Sequence, residues 1–257
     1  MSSIRYEVRE HVAHITLDNP PVNAMSEAMI DELIAAFHRA RDDDSARVVV
    51  LSSSSPKVFC GGLDLGRLLK SKASERHSLL EKLYPRLYDA QFHLGKPSIA
   101  AIGGAARGGG MTVAISCDLI IASSAATFGY PEIDVGVPPA IHFTHLPRIV
   151  GKYRAFELLF TGRAFSAQEA VELGLVSKVV APNELMNEAL KLAQTLAAKS
   201  PQVMRLARAA FMQANDSDFR RGVAGAVETF CNIAATEDAN EGLSAFVEKR
   251  EPVWGKK

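Results

Sequence analysis

The chain has 257 residues, 47% of them hydrophobic and 23% charged, enough to bury the core of one large domain or of a domain with an appendage. Lysine plus arginine equals aspartate plus glutamate at 29 each, so there is no basic footprint for nucleic acid or for an anionic membrane surface. The three cysteines (Cys60, Cys117, Cys231) are odd in number and far apart, which argues against a disulfide framework and for reduced thiols in a cytoplasmic protein.

The opening MSSIRYEVREHVAHITL mixes charged and apolar residues, unlike a secretory signal. The uncharged runs 97–106 and 108–117 fall well short of the roughly 20 residues of a membrane span. IRYEV and VAHITL alternate as a β-hairpin turning at REH. After the loop DNPPVNAMS, Ser26 is placed to cap a helix whose Met29, Ile30, Leu33, Ile34 and Phe37 recur at helical spacing. ARVVVLSSS predicts a buried strand, and PKVFCGGLDLGRLL turns through Gly61 and Gly62 into a helix start with Asp64 as its cap.

HSLLEKLYPRLYDAQFHL is helical by period, with Pro85 predicting a kink or break near Tyr84. KPSIAAIGG predicts a second buried strand running into the glycine cluster, and DLIIAS and ATFGYP two more short ones. FSAQEAVELG carries a capping box, Ser166 with Glu169, and Gly174 as terminator, and VSKVV reads as a last strand. From Asn183 onward helix follows helix, with breaks at Pro201 and around 216–218. The repeated strand, glycine-rich turn and helix predict an α/β layered core carrying a helical C-terminal section.

The cluster GGAARGGGMT has four readings. A P-loop requires Lys–Ser/Thr where Met111 and Thr112 stand, and a dinucleotide fingerprint requires a different spacing and an acidic residue that DLIIASS does not offer. A tight turn packed against another backbone is the plain structural alternative. The fourth is one half of an oxyanion hole, in which glycine lets a backbone N–H at a helix start approach a carbonyl oxygen closely. FCGGLDL is a second glycine-rich junction of the same kind.

The segments KVFCGGLDL, KPSIAAIGGAARGGGMTVAISCDLIIAS and ATFGYPEIDVGVPP, with LDNPPVNAMSEAMIDEL, GLVSKVV and EDANEGLSAFVEKREP, together resemble the crotonase superfamily, the enoyl-CoA hydratase/isomerase group. The resemblance spans nearly the whole chain in order. It implies a crotonase-like spiral of ββα units, with residues 1–195 as the core bearing an acyl-CoA site and 196–257 as a helical trimerisation section. It also implies homotrimers or homohexamers, an acyl-CoA thioester substrate that brings its own CoA, and no further cofactor. The oxyanion donors would be the amides of Leu63 and Gly109. Ala24, Gly62, Leu63, Asp64, Leu65 and Gly66 would lie along the CoA.

Hydratases of this group use two glutamates, at the positions of Thr112 and Glu132 here. A threonine can orient a water but does not act as a general base near neutrality. One carboxylate, Glu132, suits a shift of the double bond from 3-enoyl to 2-enoyl thioester, by taking a proton at C2 and returning it at C4. The alternatives are a hydratase or other lyase with a second acid/base still to be assigned, and a non-catalytic acyl-CoA binder. Asp134 and His142 are the candidates for a second acid/base or pocket residue beside Thr112, and His145 lies at i+3 from His142. The two histidines lack further ligands at a metal-binding spacing, so no metal is expected. Arg107 is expected to meet a polar part of the substrate or to pair with a carboxylate. An ordered Ser/His/Asp set for peptidase chemistry is not discernible.

Overall fold

After an N-terminal hairpin, the strands arrive in pairs, and the two members of each pair join different sheets. The computed structural model describes residues 3–255, with the backbone alone for residues 216–221 and 224. β1 (Ile4–Arg9) and β2 (Val12–Leu17) pair antiparallel through a two-residue turn in which Glu10 and His11 take φ of 47° and 64°. These are the left-handed angles that a hairpin turn of this length requires. α1 (Glu27–Asp42) follows, with the Ser26 side chain accepting from the Met29 amide and Met29, Ile30, Leu33 and Phe37 buried.

β3 (Val48–Ser53) then runs parallel to β2, and β4 (Val58–Cys60) founds the second sheet. α2 (Leu65–Lys70) is capped by Asp64, and α3 (Ala73–Glu81) runs into α4 (Leu87–Phe92) through a π-helical turn, Lys82–Arg86. That wide turn absorbs Pro85, whose ring and missing N–H a regular α-helix would not accept. β5 (Ser98–Ile102) enters the first sheet and β6 (Ala105–Arg107) the second, before α5 (Gly109–Ile115). β7 (Leu119–Ser123) and β8 (Thr127–Gly129) repeat the division, and β8 ends in a 3-10 turn, Pro131–Val135.

α6 (Ala140–Val150) and α7 (Lys152–Thr161) lead to β9 (Phe165–Ser166), α8 (Ala167–Glu172) and β10 (Lys178–Val180). α9 (Leu185–Ala197), α10 (Pro201–Ala234) and α11 (Glu237–Glu248) close the chain. The first sheet has the order β1-β2-β3-β5-β7-β10 and the second β4-β6-β8-β9. This is a spiral of ββα units. The two sheets share one hydrophobic core, while α9 covers the back of the first sheet, burying Val48, Val50, Ile99 and Ile121 under Ala189 and Ala193.

Two local expectations are corrected, and one strand went unpredicted: β6, three residues inside the glycine cluster, is too short to show a period. The expected break around 216–218 does not occur, since α10 continues through it. Asp, Ser and Asn cost a helix about 0.7 kcal/mol each at most, which the packing of α10 on α3 and α6 outweighs. Ser166 does cap α8, but the Glu169 carboxylate of the expected box accepts from Arg163 instead. Among the described residues no helix is long and apolar enough to cross a membrane.

Candidate active site

The second sheet explains why residues distant in sequence meet. β4, β6 and β8 are parallel neighbours, with Cys60 opposite Ala106 and Ala106 opposite Phe128. Their C-terminal ends therefore release three loops at one edge, the place where parallel sheets of α/β proteins present ligand sites. These loops carry Gly62 and Leu63, Gly108 and Gly109, and Glu132.

Leu63 forms a parallel bridge with Met25, in which the Met25 amide donates to the Gly62 carbonyl (2.8 Å) and the Asp64 amide donates to the Met25 carbonyl (3.0 Å). Bridge geometry turns the N–H of Leu63 itself to the other side. Among the described residues, neither the Leu63 nor the Gly109 amide donates a hydrogen bond. The two lie side by side: a Cβ on Gly109 would be 3.5 Å from the Leu63 nitrogen, and one on Gly62 would be 3.4 Å from the Gly109 nitrogen. Gly108 holds the entry to α5 at φ 50°, and a Cβ there would stand 3.1 Å from Glu132 Oε1. The carboxylate is thus pressed against the residue preceding Gly109, an arrangement that a side chain at 108 would forbid.

Glu132 is half-buried as a residue, yet its Oε2 is closed to solvent and has no hydrogen-bond partner among the described residues. Burial pushes its pKa up to about 7; its own backbone N–H opposes the rise and Asp134 adds a little to it. Two buried phenols, Tyr84 and Tyr130, lie within reach of its charge. Burial, and then the negative charge of Glu132, raise both, so they remain protonated.

The remaining candidates separate. Asp134 is exposed and its carboxylate faces Gly162 at the end of α7, where a Cβ would lie 2.7 Å away, so it does not join Glu132 at Gly108. Thr112, one turn into α5, is buried, and its Oγ1 lies 3.3 Å from Nε2 of the fully buried His142. Burial, and then His145, push the His142 pKa down to about 3 against the pull of the Gly108 carbonyl, so the ring is neutral. It packs against Tyr130 in a tilted arrangement, with centroids 4.5 Å apart and the ring planes at 57°. His145 turns away, toward a groove beneath α10.

Among the described residues Arg107 pairs with no carboxylate. Its guanidinium donates to the Thr127 carbonyl (2.8 Å) and hydroxyl (2.9 Å), tying β6 to β8. Ala24, with its carbonyl held by Asn19 Nδ2 (2.8 Å), stands beside the half-exposed run Leu63, Asp64, Leu65 and Gly66. The Asp64 side chain accepts from the Arg67 amide as a helix cap. Among the described residues no three His, Cys, Asp or Glu side chains converge as a metal site. Tyr84 and Tyr130 went unnoticed in the sequence because neither sits in a pattern of its own. One is part of a helical apolar face and the other of a short strand's end.

Two amides without an acceptor among the described residues thus lie side by side near a buried carboxylate, at the carboxyl edge of a ββα spiral. The family model of enoyl-CoA hydratase/isomerase matches residues 7–257, and the chain belongs to that family. It is 38% identical to YngF of Bacillus subtilis, which carries the name of the same family, over 98% of both chains. It is 35% identical to the crotonyl-CoA hydratase of Syntrophomonas wolfei, over 97% of this chain and 96% of that one. The crystal structure of an enoyl-CoA hydratase from Bacillus anthracis superposes with a TM-score of 0.79 at 33% identity, covering 98% of each chain.

Proposed function

We propose that this enzyme moves a double bond from the 3- to the 2-position of an enoyl-CoA, with Glu132 as its single general base. The observation that carries this reading is the solitary carboxylate against Gly108, with Thr112 where a second carboxylate would stand. The substrate carbonyl would accept from the Leu63 and Gly109 amides, which stabilise the enolate as Glu132 takes the proton from C2. The double bond migrates, and the Glu132 carboxylic acid returns the proton at C4. A base with a pKa near the working pH suits both halves of this exchange.

Hydration is the second reading, favoured by the buried Thr112–His142 pair and by the relatives named as hydratases. Here Glu132 would take a proton from a water held by the Thr112 hydroxyl. The hydroxide would add at C3, and Glu132 would return the proton to C2. Initial rates on 3-enoyl-CoA and 2-enoyl-CoA of matched length decide between the two. The proposal expects isomerisation to dominate; hydration of the 2-enoyl substrate at an equal or greater rate would replace it with the second reading.

A further inference from the structure

A small cavity opens beside the candidate site, between the π turn with α4 on one side and α5 and α6 on the other. Its free volume is about 10 Å³, and Leu83, Tyr84, Leu87, Thr112 and Ile141 contribute to its walls. That is room for one water or one methyl group. It adjoins the reacting centre directly: Thr112 is one turn beyond the Gly109 amide, Tyr84 neighbours Glu132, and the Leu83 side chain lies 3.4 Å from where a Cβ on Gly109 would be. An acyl chain with its carbonyl at the two amides and its C2 beside Glu132 would run into this cavity.

The far wall consists of Tyr88, Ile115 and Ser116. The same three residues line a second, much larger space of about 700 Å³ under α10, walled largely by apolar side chains such as Ile120, Leu175, Met204 and Phe211. They are therefore a partition between a methyl-sized cavity and a large apolar groove. The partition is braced from behind. The Tyr88 ring packs on Phe92 with centroids 5.8 Å apart, and the Ser116 hydroxyl donates to the Val113 carbonyl at 2.7 Å.

We propose that Tyr88 and Ile115 set the acyl-length limit of the enzyme, admitting short acyl thioesters and stopping longer chains at the partition. This inference rests on the reading of the site as an acyl-thioester site, though not on which of the two reactions occurs there. A hydrophobic wall discriminates by roughly 10–200-fold per misplaced methylene, and the large groove behind it means that removing the wall creates space rather than exposing solid core.

The test is kcat/KM on enoyl-CoA substrates of four, six, eight and ten carbons, for wild type, Tyr88→Ala, Tyr88→Phe and Ile115→Ala. The wild type is expected to lose at least about tenfold between four and eight carbons. Tyr88→Ala should narrow that gap by about tenfold, while Tyr88→Phe, which keeps the ring, should preserve it. Ile115→Ala serves the same purpose if Tyr88→Ala does not fold. A wild type that turns over eight or ten carbons as well as four overturns the inference, as does a folded alanine variant with an unchanged length ratio. No turnover at any length would instead refute the proposed function.

Discussion

At the residue scale, the state of Glu132 follows from its position. A carboxylate set against Gly108, with one buried oxygen lacking a hydrogen-bond partner among the described residues, has its pKa raised to about 7 by desolvation. As the proposed base, Glu132 works only when ionised, so kcat/KM should climb with pH through about 7 and level off above it. Glu132→Gln should remove turnover by several orders of magnitude while CoA-ester binding persists.

The same displacement has a stability signature. The folded pKa lies above the unfolded one, so the folded state binds more protons between about 4.5 and 7, and stability falls as pH rises through that window. Each unit of displacement is worth about 1.4 kcal/mol. Glu132→Gln should therefore gain on the wild type in urea unfolding when pH is raised from 5 to 8. A constant difference between the two proteins would mean that the carboxylate is not desolvated in the folded state.

At the scale of elements, the turn that carries Glu132 is supported by α11. That helix reaches it through Gly242, where a Cβ would collide with the Val135 carbonyl at 2.5 Å. Gly242→Val must push the turn or the helix away, and the carboxylate sits three residues before Val135. The expected result is a kcat lowered by about tenfold or more, the scale that misplacement by about 1 Å imposes, together with a destabilisation of about 1–3 kcal/mol from overpacking. Steady-state kinetics alongside thermal unfolding would separate the two effects.

Secondary structure was largely legible at this scale. Ser26 and Asp64 cap the helices they precede, and the β-branched runs form the central strands, because these signals act within a few residues. β6 and the unbroken α10 were not legible. The first is stabilised by β4 and β8 on either side, and the second by α3 and α6, none of which is local to it.

At the scale of the whole molecule, α10 is locked to the sheets by one buried arginine. Arg208 bonds both oxygens of Asp118 (2.9 and 3.0 Å) and the carbonyls of Gln91 (2.8 Å) and Phe92 (3.1 Å). Removing Arg208 leaves the Gln91 and Phe92 carbonyls without this donor, while the partly exposed Asp118 keeps the Ser98 amide and hydroxyl, so the cost is about 1–3 kcal/mol. Arg208→Ala should therefore lower the unfolding free energy in urea by that amount, and a loss below about 1 kcal/mol would show that the pair contributes little beyond a surface bridge.

The sequence by itself determined the order of strand, glycine turn and helix, the helix caps, and the chemical fact that position 112 holds a hydroxyl while position 132 holds a carboxylate. Those are properties of residue type and short-range spacing. Only the tertiary structure decided that Glu132 rather than Asp134 faces Gly108, that His142 turns to Thr112 while His145 turns to the groove, and that Arg107 serves Thr127. Each of those outcomes depends on which strand lies next to which, and on how much water the packed neighbours exclude, and both are fixed only when segments far apart in the chain close on one another.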